Sequence, residues 1–584
     1  MASKLLVQTA HGPVKGFADT HKLAARSTAH LDPQLGDRAP VYKWLGIPYA
    51  QAERFKRPVD PEPWKEPKEC FEFGSAFPQP DSMTENLLAK MPGYLLRDHL
   101  PVSEDSHTVN VFAPGDYDPT NLDEKLPVLV WIYGGALNNG TSGKFLADPT
   151  EWIRDGANPV EGGGEAPQRC IVVSGNYRTN IFGFCASEDL AEEDPQGLCG
   201  NHGLYDCVKM LEWVQSNIAH FGGDPSRVTV FGQSAGAFLI SQLMVSGKEL
   251  FQRAICMSGA ANTMMLRPAS KAYTAYSTIL SALGVPPTAS AAERLSALRS
   301  APYDSLLQLH IASHSFTGLS LTLEPANGTG IWTSDTMRRF ERGERDPWIK
   351  EVVIGTTEDE GSTFAMGMGI LTRPAWEAFL QRFEPEMRSK IEEKYLGVGG
   401  GGGSHPEGPL PPRIAPGANL IADMIFVNPV WDQACVLASP HATSETTSQA
   451  AAEPAKVWLY RIRTPVRAIE RVAPFDLGVF HAVDLPLVFN ARSLWEAQGE
   501  GEDGEDAKAA KALGRRWMRF AIEGNPDPHW TPFSPSSPSW LAFAPGGHTE
   551  NEDLADFEAQ KLELYFAGHG KDEAGEEVLG ETTE

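Results

Sequence analysis

The sequence predicts an α/β fold with a large, mostly parallel central sheet flanked by helices. Apolar runs at residues 127–133, 170–174 and 228–231 are continuous, which is typical of strands buried on both faces of a parallel sheet. Between the last two strands, apolar residues of segment 203–221 recur at spacings of three and four, the pattern of one helical face. Strands that alternate with helices in this way indicate a doubly wound sheet.

The chain is predicted to form a single domain, residues 1–584. Its 41% hydrophobic and 22% charged residues are an ordinary globular composition. Large α/β enzymes keep one sheet and grow by insertions, with long loops and extra helices added around it. Three stretches rich in glycine, small polar or acidic residues, near 397–413, 438–456 and 496–508, are therefore predicted to be flexible insertions.

Charge and terminal composition exclude several classes of function. The formal net charge of -26 disfavours binding to nucleic acid or to an anionic membrane. Only Leu5, Leu6 and Val7 form an apolar run at the amino terminus, which is too short for a signal peptide, and no run approaches the ~18 residues of a membrane span. The seven cysteines lack Cys-x-x-Cys spacing, so neither a disulfide framework nor a zinc site is indicated. We expect a cytoplasmic protein of open oligomeric state.

The sequence Gly-Gln-Ser-Ala-Gly at 232–236 carries the first chemical signal. A β-branched run precedes it and an Ala/Leu/Ile-rich segment follows, so the motif lies at a turn from strand to helix. Glycine at 232 and 236 removes the Cβ atoms that would clash in so sharp a turn. This context favours Ser234 as an exposed nucleophile over a structural serine in a glycine-rich turn.

A serine nucleophile needs a histidine base and a carboxylate that orients it. In α/β-hydrolases the chain order is serine, acid, histidine. Ser234 is followed by Glu358, Asp359 and Glu360, after a strand-like run, and then by His481. The order fits, although the residues alone leave the choice among the carboxylates open.

Small residues at 134–136 follow the apolar run at 127–133. Their backbone N–H groups are suited to stabilise an oxyanion, and a simple tight turn is the alternative.

Nine motifs in this order resemble the type-B carboxylesterases, the family of α/β-hydrolases that includes the cholinesterases. They run through the chain from about residue 40 to residue 543. The motifs are Gly-Ile-Pro-Tyr-Ala at 46–50, Ser-Glu-Asp at 103–105, Trp-Ile-Tyr-Gly-Gly-Ala at 131–136, Phe-Gly-Gly-Asp-Pro at 221–225, the turn at 232–236, Met-Ser-Gly at 257–259, Asp-Glu-Gly at 359–361, Gly-Val-Phe-His at 478–481 and Phe-Ala-Ile-Glu-Gly-Asn-Pro at 520–526.

The resemblance implies a serine carboxylesterase that acts on a small-molecule ester. It assigns Ser234 as the nucleophile, His481 as the base and Glu360 as the acid of the triad, and this mechanism requires no metal or organic cofactor.

The resemblance also implies the groups around the triad. The oxyanion hole would consist of the backbone N–H groups of Gly135, Ala136 and Ala235. Ser258 and Asp484 match positions that steady the histidine and the glutamate in this family, and a purely structural role is the alternative for both.

Several residues depart from the family pattern. Ser106 stands where the family has the cysteine partner of Cys70, and residues 261–300 contain no cysteine for a second disulfide, which agrees with a reducing compartment. No tryptophan lies between Cys70 and Ser106, and Thr363 replaces an aromatic residue common in cholinesterases. Without these cation–π partners we do not expect selectivity for choline esters.

Two alternatives to ester hydrolysis stay open. The same triad serves hydrolysis of a lactone, thioester or amide, or acyl transfer to an alcohol, because specificity depends on loops around the pocket. A non-catalytic binding protein of this family would be expected to have lost the nucleophile or the histidine, and both are present.

Overall fold

The structure is a computed structural model. It describes residues 5–20, 39–82, 92, 100–118, 124–157, 167–313, 320–325, 330–397, 410–440, 452–562, 569–571 and 577–579.

The described strands form one large sheet and two small ones. In chain order they are β1 Leu6–Gln8, β2 Pro13–Lys15, β3 Phe17–Asp19, β4 Val41–Pro48, β5 Lys68–Glu69, β6 Thr108–Pro114, β7 Leu126–Ile132, β8 Ile171–Gly175, β9 Gly223–Gln233, β10 Arg253–Met257, β11 Glu351–Thr357, β12 Lys456–Ile462, β13 Ser539–Phe543, β14 Thr549–Asp553, β15 His569–Lys571 and β16 Glu577–Leu579.

The large sheet has eleven strands in the order β14-β13-β12-β11-β10-β9-β7-β8-β6-β4-β3. Its centre, from β8 to β13, is parallel, whereas β14 at one edge and β6, β4 and β3 at the other pair in antiparallel fashion. Strands β7 and β8 are buried along their whole length, as their continuous apolar sequences predict. The sheet is therefore mixed, with a parallel core.

Helices connect the strands and cover the sheet. The described α-helices are Thr150–Ala157, Asn180–Phe184, Glu188–Glu193, His202–Asn217, Ala235–Leu243, Ala269–Ala282, Ala291–Ser300, Tyr303–Ser313, Thr336–Glu341, Ser362–Gly367, Arg373–Leu380, Pro385–Glu392, Pro416–Ala422, Asn428–Ala438, Arg467–Glu470, Leu485–Val488, Ser493–Glu496, Glu505–Glu523 and Phe557–Gln560. Two π-helical segments, Glu393–Gly397 and Asp423–Val427, extend or join these helices.

The parallel register brings the predicted site to one edge of the sheet. Strands β7, β9, β10 and β11 are neighbours and parallel, so their carboxyl ends lie side by side. The residues that follow these four ends include the small residues at 134–136, Ser234, Ser258 and the carboxylates that precede Gly361. This edge is where open α/β sheets bind ligands.

One helical stretch, Pro416–Ala438, is long and apolar enough to cross a membrane by length and composition. It carries Asp423 and Asp432, and 67% of its apolar stretch is buried inside the protein, which is typical of a core helix. All seven cysteines lie in the described residues and are free, and Cys435 alone among them is not fully buried.

The three predicted insertions differ in what the structure describes. Residues 398–409 and 441–451, the middle parts of the first two, lie outside the described residues. In the third, the helix Glu505–Glu523 begins within the acidic stretch, and the buried carboxylate of Asp506 accepts hydrogen bonds from the amides of Arg467 and Ala468. Part of that stretch is therefore packed, and mobility of the insertions stays a prediction.

Candidate active site

The predicted turn from strand to helix surrounds Ser234. Strand β9 ends at the preceding residue and the helix Ala235–Leu243 begins at the following one. Ser234 adopts φ 59° and ψ −125°, a conformation that residues other than glycine rarely adopt. A Cβ atom at Gly236 would lie 2.1 Å from the carbonyl oxygen of Ile132, so the close approach of helix and strand β7 requires glycine at this position.

Glu360 and His481 meet beside this turn. Nδ1 of His481 lies 2.5 Å from Oε2 of Glu360, and the amide of Thr357 donates to Oε1 at 2.7 Å. Burial acts to raise the pKa of Glu360, but the electrostatic attraction and hydrogen bond of His481 outweigh it and lower that pKa. An ionised Glu360 requires the proton on Nδ1, which leaves Nε2 of His481 as an acceptor.

Asp359 joins the loops that carry these two residues. Its amide donates to the carbonyl oxygen of Val479 at 2.9 Å, and the amide of Val479 donates to its Oδ2 at 2.7 Å. Arg413 adds an ion pair with Asp359, with a nitrogen to oxygen distance of 3.4 Å. The two loops are therefore held in register just before Glu360 and His481.

The acceptor nitrogen of His481 faces a residue that sequence reasoning missed. Nε2 of His481 lies 3.1 Å from Nε2 of Gln233, so the Gln233 amide donates to the imidazole. The imidazole also contacts the rings of Phe426, with centroids 4.4 Å apart, and Phe364, with centroids 5.1 Å apart. Phe426 lies in the π-helical segment Asp423–Val427, and such segments are frequent at functional sites.

Ser258 and Asp484 are both buried next to Glu360. Ser258 follows strand β10, and its hydroxyl contributes to the lowered pKa of Glu360. Neither carboxylate oxygen of Asp484 has a hydrogen-bond partner among the described residues. Burial, followed by the charge of Glu360, raises the pKa of Asp484 to about 7.

The segment after strand β7 has an unusual backbone. Gly135, Ala136 and Leu137 have φ values of 127°, 53° and 60°. The carbonyl oxygen of Gly135 accepts hydrogen bonds from the amides of Asn138 and Asn139, at 2.9 and 3.2 Å. The third predicted oxyanion donor, Ala235, is the first residue of the helix that follows Ser234.

Ser106 and Thr363, two residues that depart from the family pattern, lie in the described part of the chain. Ser106 is buried and its hydroxyl donates to the carbonyl oxygen of Ser103 at 2.7 Å, while Cys70 is free and buried. Thr363 is buried in the helix Ser362–Gly367, and the neighbouring Phe364 supplies the ring that contacts the imidazole.

Comparison with known proteins gives the family. Residues 4–561 match the profile of the carboxylesterase family. The chain belongs to the carboxylesterase family. It is 30% identical to the para-nitrobenzyl esterase of Bacillus subtilis over 499 residues, which cover 83% of this chain and 87% of that protein. It is 27% identical to the fumonisin B1 esterase of Sphingopyxis macrogoltabida over 546 residues, 89% of this chain and 86% of that one.

Solved structures agree with this assignment. A thermophilic PNB esterase superimposes with a TM-score of 0.69 and 26% identity, and covers 95% of this carboxylesterase and 99% of its own chain. The predicted family, the α/β-hydrolase fold and the class of carboxylic ester hydrolase are therefore confirmed.

Sequence reasoning missed Gln233 and Phe426 for different reasons. Gln233 is part of the recognised motif, and its place beside the nucleophile is a signal that could have identified it. Phe426 carried no signal, because its contact with the base depends on how a distant helix packs over the loop of His481.

Proposed function

We propose that this carboxylesterase hydrolyses carboxylic esters through an acyl-enzyme on Ser234, with His481 as base and Glu360 as the acid that orients it. The observation that carries the proposal is the 2.5 Å contact between Nδ1 of His481 and the buried carboxylate of Glu360. This contact supports the tautomer in which Nε2 accepts a proton, and Nε2 in turn lies 3.1 Å from the side chain of Gln233, the residue that directly precedes Ser234 in the strained turn.

The proposed chemistry has two steps. Nε2 of His481 takes the hydroxyl proton as Oγ of Ser234 attacks the ester carbonyl, and the amides of Gly135, Ala136 and Ala235 stabilise the oxyanion. The bond from the carbonyl carbon to the alcohol oxygen breaks, and the imidazolium returns the proton to that oxygen. Water then attacks the acyl-enzyme by the same route and releases the acid and the serine.

The first step requires His481 to exchange one partner. Nε2 of His481 has one lone pair, and it accepts a hydrogen bond from the Gln233 amide. That hydrogen bond must break before Nε2 can accept the hydroxyl proton of Ser234. We infer that substrate binding accompanies this exchange. A neutral hydrogen bond of this kind contributes only about 1 kcal/mol, so its loss is a small part of the barrier.

The proposal includes a cytoplasmic location and an ester substrate other than a choline ester. The free cysteines support a reducing compartment. Thr363 in place of an aromatic residue argues against choline esters.

The test is hydrolysis of nitrophenyl esters from acetyl to long acyl chains by the wild type and Ser234→Ala. We expect the variant to lose about 10⁴- to 10⁶-fold in kcat on each ester that the wild type cleaves, and the wild-type chain-length profile to give the size of the acyl pocket. Ser241→Ala is the matched control, because it removes a buried serine hydroxyl that donates to the carbonyl oxygen of Ala237 in its own helix and contacts none of the three proposed triad residues in the described structure.

Retained activity in purified Ser234→Ala contradicts the proposal. A wild type inactive on every ester, yet active on a lactone, thioester or amide, or in acyl transfer to an added alcohol, would keep the triad and change the substrate.

A further inference from the structure

The oxyanion loop, defined here as residues 134–140, is held in a conformation that its sequence does not favour. Ala136 and Leu137 are consecutive residues with side chains, and both adopt positive φ, at 53° and 60°. A left-handed conformation costs a residue other than glycine roughly 1–2 kcal/mol. Such residues persist where the surrounding structure holds them in place.

Asn180 bonds to the middle of this loop through both its backbone and its side chain. Its backbone amide donates to the carbonyl oxygen of Leu137 at 2.5 Å. Its side-chain amide donates to the carbonyl oxygen of Asn138 at 3.1 Å and to that of Pro78 at 2.8 Å. Asn180 is fully buried and has a φ of 47°, so the residue itself is strained at the position from which it reaches both segments.

The far end of the loop is held separately. Oε1 of Gln79 accepts from the amide of Gly140 at 2.6 Å, and its Nε2 donates to the carbonyl oxygen of the same residue at 3.1 Å. Nε2 of His310 lies 3.0 Å from Oδ1 of Asn138. Loss of the Asn180 side chain would therefore weaken the hold on Asn138, while the backbone bond of Asn180 to Leu137 and the attachment of Gly140 stay in place.

We propose that Asn180 is a positioning residue for the oxyanion hole: its side-chain amide holds the loop so that the amides of Gly135 and Ala136 point at the substrate oxygen. The proposal rests on the proposed function, because it needs an oxyanion at Ser234. The chemistry of the side chain is specific, since it presents N–H donors to two carbonyl oxygens, and a carboxylate in its place would repel both.

Asn180→Gly tests the proposal. Glycine adopts positive φ readily, so the variant keeps the backbone conformation and loses only the side-chain amide. Because each oxyanion donor is worth about 10²- to 10³-fold in kcat, a partial displacement of two donors is expected to lower kcat about 10-fold with KM unchanged within about twofold. The inhibition constant of a trifluoromethyl ketone, which forms a tetrahedral adduct, is expected to rise by about the same factor.

Asn201→Gly is the matched control. Asn201 is also a buried asparagine with positive φ, at 60°, and its side chain bonds to the carbonyl oxygen of Thr322 and to Glu324 instead of the oxyanion loop. We expect this variant to change thermal stability while kcat and inhibitor binding stay at the wild-type values.

Three outcomes overturn the inference: wild-type kcat and inhibitor binding in Asn180→Gly, a fall in apparent kcat that matches the fraction of unfolded protein while the inhibition constant stays at the wild-type value, or equal loss in Asn201→Gly. If Asn180→Gly does not fold, Asn180→Asp keeps the shape and removes the donors, and the same loss of kcat is expected. An active Ser234→Ala would instead refute the proposed function, so the two failures are distinguishable.

Discussion

Replacing Glu360 with glutamine should abolish the base without disturbing the packing. The side chain accepts two hydrogen bonds, from the amide of Thr357 at one oxygen and from Nδ1 of His481 at the other. Glutamine has only one acceptor oxygen. If that oxygen did not accept from the buried amide of Thr357, the unpaired N–H would lower stability by about 1–3 kcal/mol. The new NH₂ group therefore faces Nδ1 of His481, and the proton of the imidazole moves to Nε2, which can no longer accept from a serine.

The expected loss in Glu360→Gln is about 10⁴-fold in kcat, the order of magnitude for a catalytic histidine held in the wrong tautomer. The assay is hydrolysis of the best nitrophenyl ester, with thermal unfolding measured in parallel to show that the variant is folded. Glu358→Gln makes the same chemical change two residues earlier, at a side chain 35% exposed whose ion pair with Arg463 spans 3.4 Å. Since such a pair contributes little, its kcat should stay within about twofold of wild type. Near wild-type turnover in Glu360→Gln, or a comparable loss in Glu358→Gln, would refute the assignment.

Three further predictions concern the surroundings of the triad. Gly236→Ala should lower the free energy of unfolding by about 1–3 kcal/mol or more in denaturant titration, because its Cβ would lie 2.1 Å from the Ile132 carbonyl oxygen; Gly501→Ala, with no atom within 4 Å, is the control. Burial raises the pKa of Asp484 to about 7, so the folded protein holds a proton that the unfolded chain releases above about pH 4, and stability falls as pH rises through that window. Asp484→Asn should thus raise Tm more at pH 8 than at pH 5, and equal shifts would contradict this. Phe426→Leu should lower kcat several-fold with little change in KM, because the leucine loses an aromatic contact with the imidazole worth about 0.5–1.5 kcal/mol; unchanged kinetics would argue against that contact.

The core strands could be predicted well because strands buried on both faces have continuous apolar sequences. The apolar run at 127–133 became β7, Leu126–Ile132, and the run at 170–174 became β8, Ile171–Gly175. A strand covered on both faces by helices needs apolar residues at every position, so the signal does not depend on distant partners. The antiparallel edge of β6, β4 and β3 was not predicted, because pairing direction depends on the path of the connecting segments.

The turn that carries Ser234, the proposed nucleophile, could be predicted for the same local reason, and the contacts around it could not. Ser234 sits in a turn whose glycines are required by atoms close along the chain and on the neighbouring strand. The contact of Gln233 with His481 joins residues 248 positions apart, and Asn180 meets the oxyanion loop 42 positions away. No periodicity or motif in the sequence predicts these contacts, because they form only when the loops at the carboxyl edge of the sheet pack against one another.

The loops that carry Glu360 and His481 show how the sheet determines the position of a residue outside it. Glu360 follows directly from β11, whereas His481 lies on a loop between helices. The paired hydrogen bonds between Asp359 and Val479 extend the order of β11 by one step into that loop. The hydrogen bonds of Asp359 thus link the His481 loop to the end of β11, next to the contact between His481 and Glu360.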